Sequence, residues 1–367
     1  MEFGLRDDIL KLEKTSYAKE QHLPDDLSGY IDCSNGINPF GVSKEVEKCL
    51  SCIPLEKINT YPKSSFDLKE AIVEYWSEIS EINNNQIILG DGSIELIYKI
   101  NKLFVDNSSK VLGYSPQFSD YIDDVKTSGG IYEYYLMGMD DNFEFITEQF
   151  LNKMNKDYKL FYIDNPNNPT GQVIDIISLK NIVEKAYNLN LPVVIDEAYG
   201  DFIAKENSAI SLVNEFDNLI VIRTFSKGLG LAGIRAGYLV TSKHFAEHFS
   251  KVSNPYEMNS IARYLAIAAM RDKEFIVHCN SRLRIYKQKF MDSLKKLKVI
   301  KTNLSVPIMI IMHPDKNVDL ESLLLKHHVL SISGQGFIGL EKNAVRIMLT
   351  RDIDSLISAF NKVENEI

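Results

Sequence analysis

The feature that most constrains this 367-residue chain is a series of short, wholly apolar runs separated by amphipathic segments. The runs are Ile87–Leu89, Val111–Leu112, Leu160–Ile163, Val193–Ile195, Leu219–Ile222 and Tyr238–Val240. A strand apolar on both faces is a strand covered on both faces, and helical segments between such strands supply the cover. The pattern predicts an α/β fold with a mostly parallel central sheet. The ends of the runs carry the second message. They read Gly90-Asp91-Gly92-Ser93, Ser115-Pro116-Gln117-Phe118, Asp164-Asn165-Pro166-Asn167-Asn168-Pro169-Thr170-Gly171, Asp196-Glu197-Ala198-Tyr199 and Thr224-Phe225-Ser226-Lys227. Ligands of open α/β sheets bind beyond the carboxyl ends of the strands, so these five ends converge on one crevice.

The chemistry at those ends is specific. Lys227 is an amine at a strand's mouth, with hydroxyls at Thr224 and Ser226 and a guanidinium eight residues on at Arg235. An amine beside an anion site is what pyridoxal 5'-phosphate (PLP) requires, for its aldehyde and its phosphate respectively. Gly92 and Ser93 open a helix through Ile97, Ile100 and Phe104, and their backbone N–H groups suit a phosphate. Phe118 can stack on an aromatic ring, although core phenylalanine is the commoner meaning. Asp196 follows an apolar run, where a carboxylate has little water and needs either a cation, such as a protonated pyridine nitrogen, or a helix to cap. Asn168 and Tyr199 can donate to a ring phenolate oxygen.

Around this centre the chain divides into an N-terminal arm and small-domain segment over 1–42, a large cofactor-binding domain over 43–250 and a small α+β C-terminal domain over 251–367. The expected arm is polar over 1–30; Asn35-Gly36-Ile37-Asn38-Pro39 then forms a loop before a helix from about Ser43, and an amphipathic helix after Ser64 and Ser65 runs through Trp76. A long helical region from Asn254-Pro255 to about Leu297 precedes strands near Ile308–Met312 and Val345–Leu349 and a closing helix from Asp352.

Composition excludes several classes. A net charge of -9 with scattered Lys and Arg leaves no basic surface for nucleic acid, and nothing basic or helix-turn-helix-like precedes residue 30, which argues against a silent sensor fused to a DNA-binding unit. No apolar run is long enough to span a bilayer, and the opening MEFGLRDDIL lacks the pattern of a signal peptide, so the expected location is the cytoplasm. Cys33, Cys49, Cys52 and Cys279 are too few for a disulfide framework; the Cys49–Cys52 spacing reads as a helix end, and no metal site is expected.

NPNNPTG, DEAYGDF, TFSKGLGLAGIRAGY and the late VRI, which occur in that order at strand ends, resemble the fold-type I PLP-dependent aminotransferases of class I/II. The likeness is strongest to the branch of histidinol-phosphate aminotransferase and its relative threonine-phosphate decarboxylase, and spans about Asn35 to Arg351. It implies a Schiff base on Lys227, phosphate contacts from Gly92, Ser93, Thr224, Ser226 and Arg235, and ring contacts from Phe118, Asn168, Asp196 and Tyr199. It implies substrate contacts from Arg346, for a carboxylate, and Asn38, and a homodimer in which Tyr61 reaches the neighbour's cofactor phosphate. By resemblance the reaction is transfer of an amino group from an amino acid such as glutamate to a small, phosphorylated carbonyl acceptor. Ile37, in a position where histidinol-phosphate aminotransferases usually carry an acid, keeps open an alternative: decarboxylation of a phosphorylated hydroxy-amino acid.

Overall fold

The computed structural model describes residues 4–15, 27–62, 66–139 and 143–367. Ser64 and Ser65, and residues 16–26 of the expected arm, lie outside them. A seven-stranded sheet is built from β1 (Ile87–Gly90), β2 (Lys110–Ser115), β3 (Ile131–Leu136), β4 (Tyr158–Asp164), β5 (Val193–Asp196), β6 (Leu219–Thr224) and β7 (Gly237–Thr241), in the order β1-β7-β6-β5-β4-β2-β3. Every expected run is a strand. The strand around Tyr238–Val240, however, runs antiparallel to both its neighbours, β1 and β6. The reason is the chain path: the turn after Lys227 brings the chain straight back beside β6, with no crossover helix to reverse it. Strand β3 is the one that periodicity missed. It forms the sheet edge, with Ile131, Tyr134 and Leu136 exposed, and its mixed Ile-Tyr-Glu-Tyr-Tyr-Leu lacks the continuous apolar signature of the centre.

Helices cover both faces. In chain order they include α1 (Lys44–Cys52), α2 (Phe66–Trp76), α3 (Ser93–Phe104), α4 (Ser119–Thr127) and α5 (Ile176–Asn188). Alternate strand residues pack on opposite sides: Phe161, Ile163, Val193, Ile195 and Val221 share one core with Leu179 and Ile182 of α5, whereas Leu160, Tyr162, Val194 and Ile222 share another with Leu96, Ile100 and Tyr121. Ser43 caps α1 by accepting from the Val46 amide, the start its sequence predicts.

The expected long helical region is two helices, α6 (Ser260–Arg271) and α7 (Lys273–Ser293), broken where Asp272 caps the second by accepting from the Phe275 amide. Helix α6 packs on α1 and α2. Beyond α7 a four-stranded antiparallel sheet, ordered β10-β11-β9-β8, consists of β8 (Lys298–Val299), β9 (Ile308–Met312), β10 (Ile332–Ser333) and β11 (Ala344–Met348). Its core joins Leu283 and Phe290 of α7 to Ile308, Val345 and Ile347 and to Leu356 and Phe360 of α8 (Ile353–Asn365), which Asp352 caps. Ile31–Asp32 pairs in parallel with Val329–Leu330, so the segment before the loop at Asn35 belongs to this smaller body.

Candidate active site

A cavity of about 290 Å³ opens at the carboxyl ends of β2, β4, β5 and β6, where Ser93, Phe118, Asn168, Asp196, Tyr199, Thr224, Ser226, Lys227 and Arg235 all line it. The register explains the meeting. Gly237 pairs with Gly90 on one side and with Thr224 on the other, which sets the start of α3 beside the hydroxyl-rich end of β6. A Cβ at Gly237 would come within 2.7 Å of the Gly92 carbonyl carbon and 2.8 Å of the Ser93 amide nitrogen, so only glycine permits this approach. Gly92 itself has φ +85°, and a Cβ there would lie 2.6 Å from Nη2 of Arg235. Thr224 Oγ1 donates to Ser226 Oγ at 3.0 Å, and Arg235 Nη1 donates to the same Ser226 oxygen at 3.4 Å and to the Ala232 carbonyl at 3.0 Å. Two hydroxyls, one guanidinium and the N-terminus of a 12-residue helix thus surround one anion-sized end of the cavity.

At the floor, Asp196 is buried, and its partners are neutral: the Tyr162 hydroxyl donates to Oδ2 at 2.7 Å and the Ala198 amide to Oδ1 at 3.0 Å. It caps no α-helix. Burial pushes its carboxyl up to about 7, opposed by the Tyr162 bond and assisted by neighbouring Asp164. Asp164, its register partner on β4, also lines the cavity and accepts from Gln117 Nε2 at 2.9 Å and from the Asn168 amide at 2.9 Å. Asp164 and Tyr162 are site residues that sequence reasoning passed over; the signal was there for Asp164, which ends an apolar run just as Asp196 does. Lys227 stands above, its amine 5.5 Å from the Tyr199 ring centroid. Burial, reinforced by the guanidinium groups of Arg346 and Arg235, pulls its pKa down to about 8 against the attraction of Asp196.

The remaining predicted residues stand outside the lining. Arg346 is buried on β11, donating from Nη1 to Asn168 Oδ1 at 3.1 Å and from Nη2 to the Ser34 carbonyl. The first bond turns the acceptor end of the Asn168 carboxamide toward the arginine. Asn38 lies behind the lysine loop, where Nδ2 donates to the Gly228 carbonyl at 2.7 Å and Oδ1 accepts from the Phe40 amide at 2.9 Å. Gly36, in the same loop, presses so closely on Tyr199 that a Cβ would fall 1.9 Å from its hydroxyl oxygen. Tyr61 is not brought to this cavity: its ring is 74% exposed and stacks on Tyr256 at 4.5 Å. Beneath the site Arg223 Nη1 meets Glu197 Oε2 at 3.0 Å and Nη2 meets Asp201 Oδ1, a buried triad linking β6 to the Asp196–Phe202 segment.

A buried lysine amine within electrostatic reach of two arginines and of a buried carboxylate, at the ends of a mostly parallel sheet, is the site of a fold-type I PLP-dependent enzyme. Comparison with known proteins narrows the class. Residues 31–360 match the family "Aminotransferase class I and II". The histidinol-phosphate aminotransferase of Ruminiclostridium cellulolyticum is 31% identical over 77% of this chain and 78% of its own length, and that of Methanocaldococcus jannaschii is 30% identical over 89% and 86%. A solved histidinol-phosphate aminotransferase from Sinorhizobium meliloti, in complex with PLP, superposes with a TM-score of 0.78 at 22% identity over 91% of each chain, which establishes the shared fold. The chain belongs to the class I and II aminotransferases, in the histidinol-phosphate aminotransferase branch, and its cofactor is PLP. The residues present fit that cofactor: the missing Cβ at Gly92 lets the Arg235 guanidinium lie against the start of α3, which gathers anion donors at one end of the cavity, and Asp196 has only neutral donors, so a pyridinium would supply a cation.

Proposed function

We propose that the enzyme takes the amino group of an amino acid, glutamate first among them, and passes it to a small phosphorylated carbonyl compound. The observation that carries the reading is the placement of Lys227 within electrostatic reach of two arginines on different elements, Arg235 at the anion-sized end of the cavity and Arg346 at the Asn168 end. In this reading Arg235, Ser226, Thr224, Gly92 and Ser93 hold the cofactor phosphate, Phe118 covers the ring, Asp196 holds a proton on its nitrogen, and Asn168 and Tyr199 donate to its oxygen. Bound there, PLP supplies an electron-withdrawing ring that stabilises negative charge at the substrate α-carbon. Lys227 Nζ would hold the cofactor through its aldehyde carbon and, once free, would move the proton at the substrate α-carbon; an amine whose pKa burial lowers to about 8 suits a group that accepts and returns a proton near neutrality. Arg346 takes the substrate carboxylate through its planar fork. Asn38 orients the lysine loop through its bond to the Gly228 carbonyl.

The reading includes a homodimer. Leu55, Ile58, Tyr61, Phe66 and Tyr256 form a run of exposed apolar side chains, 57 to 80% accessible, of the sort that marks an interface, and Tyr61 would reach the partner's cofactor phosphate from it. It also includes the division at 42/43 and 250/251, with α6 packing back on the large body, and a cytoplasmic location; no helix among the described residues is long and apolar enough to cross a membrane. The names of the relatives make histidinol phosphate the first phosphorylated substrate to try.

Purified enzyme given glutamate alone is expected to yield 2-oxoglutarate stoichiometric with sites, and given histidinol phosphate and 2-oxoglutarate to form glutamate. Carbon dioxide from phosphothreonine or phosphoserine, with no 2-oxoglutarate from glutamate, would refute the proposal. Arg346→Ala should raise KM for glutamate by about a hundredfold, the scale of a lost charge-assisted pair, while PLP uptake is spared.

A further inference from the structure

Helix α7 buries Cys279, Leu283, Lys287 and Phe290 along one stripe, so an otherwise apolar face carries an amine. Lys287 is 0% exposed. Its Nζ donates to Thr302 Oγ1 at 2.7 Å and to the main-chain carbonyls of Asn303 at 2.8 Å, Val306 at 2.7 Å and Ile308 at 2.9 Å. All four partners are neutral oxygens. A neutral amine has two N–H groups for three carbonyl oxygens, and its lone pair could take a proton only from the Thr302 hydroxyl, which leaves one carbonyl without a donor; an ammonium offers one donor to each carbonyl. Burial pulls this amine's pKa well below the ordinary lysine value, whereas hydrogen bonds from N–H groups to four acceptor oxygens favour the charged form.

The same oxygens connect to the active site through two segments, although none of their residues lines the cavity. Ile308 begins β9, whose Ile310 is the register partner of Arg346. The Asn303 amide donates to the Gly171 carbonyl at 3.0 Å, and the Gly171 amide donates to Asn167 at 2.9 Å, one residue before Asn168. A Cβ at Gly171, which has φ +71°, would lie 2.4 Å from the Ile308 carbonyl oxygen and 2.7 Å from Thr302 Oγ1. The turn that carries Asn168 and the strand that places Arg346 therefore meet at the oxygen shell of Lys287.

We propose that Lys287 is a positioning residue, its ammonium filling a cage for a monovalent cation that sets the start of β9 against the Asn168–Gly171 turn and so holds the Arg346–Asn168 pair at the cavity. Four oxygens at 2.7 to 2.9 Å also suit free ammonium or potassium, which would occupy the cage when the side chain is cut back. The kinetic consequence rests on the reading of Arg346 given above; the cage does not.

Three measurements test it. In the wild-type protein at pH 8, a slowly exchanging lysine ammonium signal in ¹⁵N-resolved NMR is expected, and Lys287→Met should remove it; no such signal in the wild type overturns the proposal. Lys287→Met keeps the length of the chain without the charge and is expected to raise KM for the amino donor by about tenfold with kcat within about threefold, the pattern of a lost ground-state contact; wild-type KM overturns the role. Lys287→Ala opens the cage, and ammonium or potassium chloride, unlike choline chloride, should restore KM and raise the melting temperature; equal values in all three salts overturn the cation cage. Failure of both variants to fold in every salt would make Lys287 a folding element and also overturn the positioning role. If Arg346→Ala leaves KM unchanged while Lys287→Ala is still thermally rescued by ammonium, the reading of Arg346 has failed and the cage stands.

Discussion

Asp196 shows how a single residue can be poorly satisfied by its own fold. Its carboxyl is raised to about 7 from the ordinary 3.8 by burial, so the cofactor-free fold binds its proton more tightly than the unfolded chain does. This contribution to stability is therefore fully present below pH 3.8 and is lost as the pH rises through about 7. The cofactor-free protein should lose stability across that window, and Asp196→Asn, which cannot ionise, should flatten the slope, as should PLP by placing a cation against the carboxylate. Urea midpoints at a series of pH values, with and without cofactor, measure all three cases. A slope unchanged in Asp196→Asn would mean that other groups dominate.

At the scale of elements, what matters is how the functional segments are kept in register. The buried triad of Arg223, Glu197 and Asp201 joins β6, which leads into Lys227, to the segment carrying Asp196 and Tyr199. Glu197 has further partners in the Ser208 hydroxyl and the Ala209 amide, both at 2.6 Å, and the Arg223 guanidinium lies 5.1 Å from the Trp76 ring centroid. Two close glycines leave space for it: a Cβ at Gly200 would fall 1.8 Å from Arg223 Nη1, and one at Gly228 would fall 2.3 Å from Asp201 Cβ. Arg223→Met preserves bulk but strands two buried carboxylates, and removing one partner of a buried ion pair typically costs about 3–5 kcal/mol. Chemical unfolding should show a loss of that size, together with weaker PLP retention; a loss below about 1 kcal/mol, the range of surface pairs, would show that the triad is relaxed by water.

The whole molecule is best tested by mixing. If Tyr61 serves the neighbouring site, Tyr61→Ala and Lys227→Ala subunits are each inactive as homodimers, yet a hybrid holds one complete site, formed by the first subunit's Lys227 and the second subunit's Tyr61. Co-refolding the two variants at equal amounts should regain about a quarter of wild-type activity, since half the dimers are hybrids with one site of two. Activity no greater than that of the separate variants would place Tyr61 outside the partner's site.

Much of this protein was legible from its sequence because parallel-sheet centres must be apolar on both faces. The six runs, and the polar residues that end five of them, identified the strands and the crevice and brought Lys227, Asp196, Asn168, Tyr199, Thr224, Ser226, Arg235, Ser93 and Phe118 into one reading. Helix starts at Ser43 and Asp352 were equally plain, since capping is a local bond between residues three apart. What the chain order could not express was anything set by long-range packing. The antiparallel course of β7, the edge strand β3, the break at Asp272 and the pairing of Asp164 with Asp196 depend on which strands become neighbours. Lys287 is the sharpest case. A lysine in a helix reads as a surface charge, and only the folding of residues 302–308 around it, in a separate stretch of chain, supplies the oxygens that make its burial possible. Local sequence determines which groups are on offer at the end of each element; the distance between those ends is decided by tertiary packing, because it is the sum of every register and crossing between them.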